Sequence, residues 1–161
     1  MMNTFIYVVL ATLALAGLGL FVSIRRGIRH RQIKLLLDQR RLIFMENRDS
    51  LEELFFQLAA SSGKPRGLDW VRCDFEPGVV FARDRQNGQL RALVSVTIQF
   101  EATEGGDMED VEAVGNLRAA TAVFLHNGSQ WSTEGRTIYN LDPGEALEHF
   151  SQELEPIDEA R

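Results

Sequence analysis

Leu90-Arg91-Ala92-Leu93-Val94-Ser95-Val96-Thr97-Ile98-Gln99-Phe100-Glu101 is the stretch that decides the fold. Leu90, Ala92, Val94, Val96, Ile98 and Phe100 alternate with Arg91, Leu93, Ser95, Thr97, Gln99 and Glu101. A period of two places the first set on a buried face and the second, mostly polar, set on the other, so the stretch reads as the central strand of a sheet. Upstream, Val79 to Asp84 is a second strand, joined through Asn87-Gly88, a pair suited to the positive φ angles of a two-residue hairpin turn. That register sets Asp84 opposite Arg91 and Phe81 opposite Val94.

Asn127-Gly128 repeats the device, with a two-residue turn that puts Phe124 opposite Trp131, between a strand ending near His126 and one starting near Ser129. Strand character continues from Arg136 to Asn140, and Trp70 to Phe75 adds an edge strand. Asp142-Pro143-Gly144-Glu145 then supplies an N-cap, a proline at the first helical position and a capping-box acid. Leu147, Phe150 and Leu154 follow on one face of a closing helix that packs on the sheet and ends before Pro156.

Ahead of the strands the period is helical. Ile33, Leu37, Phe44, Leu51, Phe55 and Leu58 fall on one stripe that requires a partner, as in a coiled coil or against a sheet. Ser50-Leu51-Glu52-Glu53 has the form of a capping box, which predicts a break near Asp49 and a new helix over Leu51 to Ser61. Ser61-Ser62-Gly63-Lys64-Pro65-Arg66-Gly67 is a connector; a phosphate-binding loop would need an earlier glycine and a Ser or Thr after the lysine. The order helix, four or five antiparallel strands, helix predicts an α+β fold: a curved sheet with helices on one face, the outline of cystatin-like and NTF2-like folds. The outline carries no activity with it.

Thr4 to Ile24 is a run of 21 residues without a charge or a proline, and seven Lys or Arg follow before residue 42. At about 1.5 Å per residue such a helix matches a hydrocarbon core of about 30 Å. A cleaved signal peptide is disfavoured, because Met1-Met2-Asn3 lacks a basic segment and the run continues past Ala14-Leu15-Ala16. The predicted organisation is a tail at 1–3 outside the cytoplasm, a transmembrane anchor at 4–24, a basic helical stem at 25–49 and an α+β domain at 50–161. Basic residues on the C-terminal side of the anchor put that domain in the cytoplasm of a single-pass inner-membrane protein. Residues 1–48 carry +6 and residues 49–161 carry −12, which together give the net −6. Arg25, Arg26, Arg29, Arg31 and Lys34 are therefore expected against lipid headgroups, with the acidic body standing off. The only basic cluster belongs to the stem, which argues against nucleic acid as a partner. Thr12, Ala16, Gly19 and Ser23 form a small-residue face on which a second anchor could pack to make a homodimer.

Gly63-Lys64-Pro65-Arg66-Gly67, Phe81-Ala82-Arg83-Asp84-Arg85 and Val114-Gly115-Asn116-Leu117-Arg118 carry a further likeness. On these residues the chain resembles an uncharacterised family of bacterial single-pass membrane proteins with a small α+β soluble domain. The resemblance covers most of the body and implies the same architecture, without an activity.

Candidate chemistry is sparse. Glu101, Glu104, Asp107, Glu109, Asp110 and Glu112 gather around Gly105-Gly106, but lack the ligand spacing of a calcium loop. A solvated loop is the plainer reading, and Glu104, Asp107, Glu109 and Asp110 are the candidate docking surface for a basic protein partner. Cys73 beside Asp74 has no spacing that links it to His30, His126 or His149, so a structural cysteine is expected, with no metal, no cofactor and no catalytic set. Trp70, Trp131 and Tyr139 read as core before they read as a pocket lining. The expectation is a membrane-anchored, non-enzymatic interaction or scaffold module. The alternative is a ligand-binding or enzymatic domain with its site in the concavity of the sheet.

Overall fold

The computed structural model describes residues 31–62, 67–109 and 111–157, together with Phe21, Ser23, Arg25 and Ile28. The anchor falls almost wholly outside these residues; among them, no helix is long and apolar enough to cross a membrane. The chain divides between Met45 and Glu46 into two compact units. Residues 31–46 are helical (α1), all but the last of them in the first unit, and Ile33, Leu35, Leu36 and Leu42 are exposed.

The second unit runs α2 (Arg48–Ser62), β1 (Leu68–Asp84), β2 (Leu90–Ala102), a 3-10 turn (Glu112–Gly115), β3 (Arg118–His126), β4 (Trp131–Tyr139), α3 (Pro143–His149) and β5 (Leu154–Pro156). The strands form one curled antiparallel sheet in the order β4-β3-β2-β1-β5. The α+β class and the central place of β2 are as the alternation predicts. Its even-numbered residues are all buried from Leu90 to Phe100, while Ser95, Thr97 and Gln99 are half-buried.

Several expectations need correction. Trp70–Phe75 and Val79–Asp84 belong to one 17-residue strand. The ladder to β2 slips between Phe75 and Val79, where Pro77 lacks the N–H a regular pairing needs. Arg48 bridges this slip from the first residue of α2: its guanidinium donates to the carbonyls of Glu76 and of Pro77, the latter at 2.6 Å, and also pairs with Glu52. The helix break falls at Asn47, whose carbonyl accepts from the Leu51 N–H at 3.0 Å. Ser50 is therefore inside α2, not at its cap. The capping box at Asp142 and Glu145 is present as read, with reciprocal bonds of 2.8 and 2.9 Å. Leu154, placed on that helix by its spacing, instead opens β5 on the free edge of β1.

Both hairpins keep their strands and shift their register. Arg83 faces Leu90, and Asp84 and Gln89 close a four-residue turn with Gly88 at φ +71°. The Asp84 carboxylate accepts from the N–H groups of Gln86 and Asn87, a side-chain cap that outweighs the two-residue Asn-Gly turn. Asp84 and Arg91 still meet, across the diagonal, at 2.6 Å. At the second hairpin His126 faces Trp131, and the turn centres on Gly128-Ser129, with Asn127 Oδ1 accepting from both Ser129 and Gln130 N–H groups.

The helices cover opposite faces, not one. Phe55 of α2 packs its ring against Phe75 and Phe124, on the face of Val94 and Val96. Leu147 and Phe150 pack against Ala82, Leu93, Val123 and Leu154, on the other face. α2 reaches the sheet closely because Gly135, at φ +72°, is buried under it: a Cβ there would stand 2.5 Å from the Ala59 nitrogen and 2.8 Å from the Leu58 carbonyl carbon. The β3–β4 ladder slips at this point, and Thr133 Oγ1 repairs it by donating to Val123 O at 2.9 Å and accepting from Gly135 N–H at 3.1 Å.

Gly135→Ala should lower unfolding free energy by about 2 kcal/mol or more, from the left-handed backbone together with overpacking. Equilibrium denaturation in urea measures this, and a variant as stable as the parent would refute the close approach. A second prediction concerns acid. The hydrogen bond from Arg91 is the main cause holding the Asp84 carboxyl below its ordinary value, helped by the Gln86 and Asn87 N–H groups against the effect of burial. A carboxyl depressed in the folded state adds stability above its unfolded pKa of about 3.9 and loses it as pH falls through the folded value. The loss of urea midpoint between neutral and strongly acidic pH should accordingly be smaller for Asp84→Asn than for the parent.

Candidate functional site

The two hairpin turns lie at one end of the sheet. At the other end, Leu68 opens β1, Phe100 is near the close of β2, Arg118 opens β3 and Tyr139 ends β4. The pairs Trp70–Phe100, Ile98–Arg118 and Ala120–Tyr139 put these side chains on the face that α2 covers elsewhere. The loop from Thr103 to Leu117 returns over this end and contributes Met108, Val111 and Val114. Together with Asn140 they line a cleft of about 310 Å³.

The loop is held by its own backbone. Thr103 N–H donates to Gly67 O at 2.9 Å, Gly106 N–H to Thr103 O at 2.9 Å, and Val114 N–H to Val111 O at 3.0 Å. Thr103 Oγ1 donates to Asp69, and Glu109 accepts from the Gly105 N–H at 3.0 Å. Val114 is thereby buried, Met108 half-buried and Val111 exposed at the rim. Asn140, at φ +60°, turns the chain out of β4 while its N–H donates to Ala119 O at 3.0 Å. Burial pushes the Tyr139 hydroxyl pKa upward, with Cys73 adding to the shift, so the hydroxyl is a donor at neutral pH. Among the described residues, the cleft thus presents an apolar floor with one cation, one hydroxyl and one amide at its border.

Of the predicted docking acids, Glu104, Asp107 and Glu109 are exposed on this loop, and Asp110 lies outside the described residues. Glu109 is partly spent on capping its own turn. In the stem, Arg25, Arg31 and Lys34 are helical and exposed, while Arg26 and Arg29 lie outside the described residues. So do Thr12, Ala16 and Gly19 of the small-residue face; Ser23 is helical and exposed.

Among the described residues the structure brings none of the candidate catalytic groups together, and His30 lies outside those residues. His126 is buried in its hairpin, its Nδ1 accepting from the Gly128 N–H at 3.0 Å and its ring 5.1 Å from that of Trp131. His149 is exposed at the end of α3. Asp74 is exposed and pairs with Arg72 at 2.8 Å. Cys73 lies half-buried in a shallow groove between α2 and β1, and burial, then the charge of Asp74, pushes its thiol up to about 12. Among the described residues, no group of three or more His, Cys, Asp or Glu side chains is placed to share a metal ion.

The cleft residues were not singled out by sequence reasoning as a set. The available signal was Met108, Val111 and Val114 recurring at steps of three inside an acidic, glycine-containing loop, apolar residues that such a loop does not need unless they turn inward. No protein-family model, curated protein or solved structure matches this chain.

A thiol at about 12 is almost wholly protonated at neutral pH, and the thiolate is the nucleophile. Alkylation of Cys73 by iodoacetamide at pH 8 should therefore run at least tenfold slower in the folded protein than in urea, followed by mass spectrometry. Equal rates would contradict the burial of the thiol.

Proposed function

We propose that this chain is a membrane-anchored, non-enzymatic interaction module whose cytoplasmic α+β body is presented to a protein partner. Thr4 to Ile24 crosses the inner membrane, and Arg25, Arg26, Arg29, Arg31 and Lys34 meet anionic lipid on its cytoplasmic side. The observation that carries the reading is the charge division, +6 over residues 25–48 directly behind an uncharged run of 21 residues and −12 over residues 49–161. Exposed Ile33, Leu35 and Leu36 interleaved with exposed Arg31 and Lys34 support it, since a helix at a lipid interface carries both kinds of side chain. Glu104, Asp107, Glu109 and Asp110 give the body an acidic surface for a basic partner. Thr12, Ala16, Gly19 and Ser23 are the face through which two copies associate.

The concavity under α2 is filled by Phe55, Trp70, Phe75, Phe100 and Phe124, which favours an interaction module over a site at the centre of the sheet. A ligand-binding body is the second reading, and the cleft beyond that packed region favours it.

Fusing alkaline phosphatase or a fluorescent protein to the C-terminus tests the orientation. Fluorescence with inactive phosphatase is expected, and active phosphatase would overturn it. Proximity labelling from the same terminus in native membranes should then enrich a recurrent partner set, reduced by Glu104→Lys with Asp107→Lys. Labelling no richer than that of the same anchor bearing an unrelated body would refute the interaction role.

A further inference from the structure

We infer that the free edge of β1 pairs with the same edge of a second copy of this chain, antiparallel about a two-fold axis at Cys73, so that Arg72 of each copy faces Asp74 of the other. This surface is separate from the acidic loop and from the small-residue face of the anchor, and the inference rests on neither.

The edge is long and mostly uncovered. β1 runs from Leu68 to Asp84 against β2, whereas β5 covers only Ala82 to Asp84 on its other side. Which backbone groups point outward follows from the ladder, because successive residues of a strand turn their N–H and C=O toward opposite neighbours. The Phe81 carbonyl points outward, since it accepts from the Ile157 N–H at 3.1 Å. Phe81, Phe75 and Cys73 pair with Ala92, Val96 and Ile98, which lie an even number of positions apart on β2, and β2 itself pairs with β3 without a slip. Cys73 and Phe75 therefore share that outward orientation. Among the described residues, no strand takes up their bonds.

Edge strands are commonly guarded by prolines, bulges, charges or a covering element. Pro77 and the slip beside it guard one stretch of β1, and β5 guards another. At residues 71–75 the guard is a pair of charges of opposite sign. Arg72 and Asp74 are both exposed, on the face opposite Cys73, and pair with each other at 2.8 Å.

This pattern selects the occupant. Like charges directly opposite on neighbouring strands repel, and opposite charges attract. A two-fold interface presents the same surface from both copies. With the axis at Cys73, Arg72 meets Asp74, Asp74 meets Arg72, and Val71 meets Phe75 on either side. A shift of two residues instead sets Arg72 against Arg72 or Asp74 against Asp74, and a parallel pairing in register places each charge beside its like. The outward groups of Cys73 would bond those of its mate with Cα atoms about 5.5 Å apart, and the charged pairs, at non-hydrogen-bonded positions, would stand closer, at about 4.5 Å. An unrelated strand has no such complement.

α2 leaves room beside the strand. A shallow groove of about 360 Å³ lies between Phe56 of α2 and Val71, Cys73 and Phe75. Val71 is exposed there, and the second copy would cover it with Phe75.

A nitroxide on Glu76→Cys in a Cys73→Ser background reads this pairing as a distance. Residue 76 is exposed and lies three positions from the axis, so at about 3.3 Å per residue two labelled positions stand roughly 20 Å apart. The full chain in phosphatidylcholine vesicles is measured by double electron–electron resonance, and a population near that distance is expected. Arg72→Asp or Asp74→Arg, added singly, should reduce this population at least fivefold by setting like charges face to face. Mixing the two labelled variants should restore it, as should both substitutions in one chain. Absence of the distance in the parent, as when copies associate through the anchor alone, would overturn the inference. So would a population that neither single substitution reduces, or one that neither the mixture nor the double substitution restores.

Discussion

The backbone of α2 approaches β4 at a point where only a hydrogen fits on the facing Cα. Gly135 supplies that hydrogen, and its left-handed conformation displaces the strand from a regular ladder. Much else depends on this contact. With α2 drawn in so far, Phe55 reaches the middle of the sheet and meets the rings of Trp70, Phe75 and Phe124. Thr133 is then needed to satisfy the backbone that the slip exposes, and Arg48 performs the corresponding task at the irregularity of β1. The close approach sets one irregularity and Pro77 the other, each repaired by a side chain within reach, because a buried backbone group without a partner costs about as much as a lost hydrogen bond.

That packing also explains where the cleft is. The aromatic cluster fills the face beneath α2, but the four strands run on past it toward Leu68, Phe100, Arg118 and Tyr139. The loop between β2 and β3 covers the remainder with short apolar side chains, which cannot fill it as phenylalanines do. The opposite face needs less cover: α3 and β5 seal a small patch around Leu93 and Val123, and Ser95, Thr97 and Gln99 of β2 can remain near water. A two-sided arrangement of this kind lets a body of modest length bury both faces of its central strand while leaving one end of the sheet open.

The acidic loop shows how a feature prominent in composition divides into separate physical tasks. Glu109 closes a turn, Glu104 and Asp107 are exposed, and Met108, Val111 and Val114 line the cleft. Electrostatic reasoning from the sequence saw the charges and treated the loop as one surface. The cysteine presents the reverse case: Cys73 and Asp74 are neighbours in sequence, yet strand alternation sends their side chains to opposite faces, and burial, followed by the charge of Asp74, raises the thiol pKa instead of activating it.

The sequence by itself determined the strand β2, the strands flanking the two Asn-Gly turns, the closing capping box and the division into a basic and an acidic part, because alternation, caps and charge are local properties of neighbouring residues, whereas it divided β1 in two and put Leu154 of β5 on a helix. It also determined that β2 is central. Only the tertiary structure decided the hairpin registers, since Asp84 and Asn127 compete for turn N–H groups through side chains whose reach cannot be read from an Asn-Gly pair. It decided the side of the sheet each helix takes, which follows from the close fit at Gly135 and from where Leu147 and Phe150 find uncovered apolar surface. It decided the cleft as well: Leu68, Met108, Arg118 and Tyr139 are far apart in the chain, and only the pairing of four strands brings them to one end of one sheet.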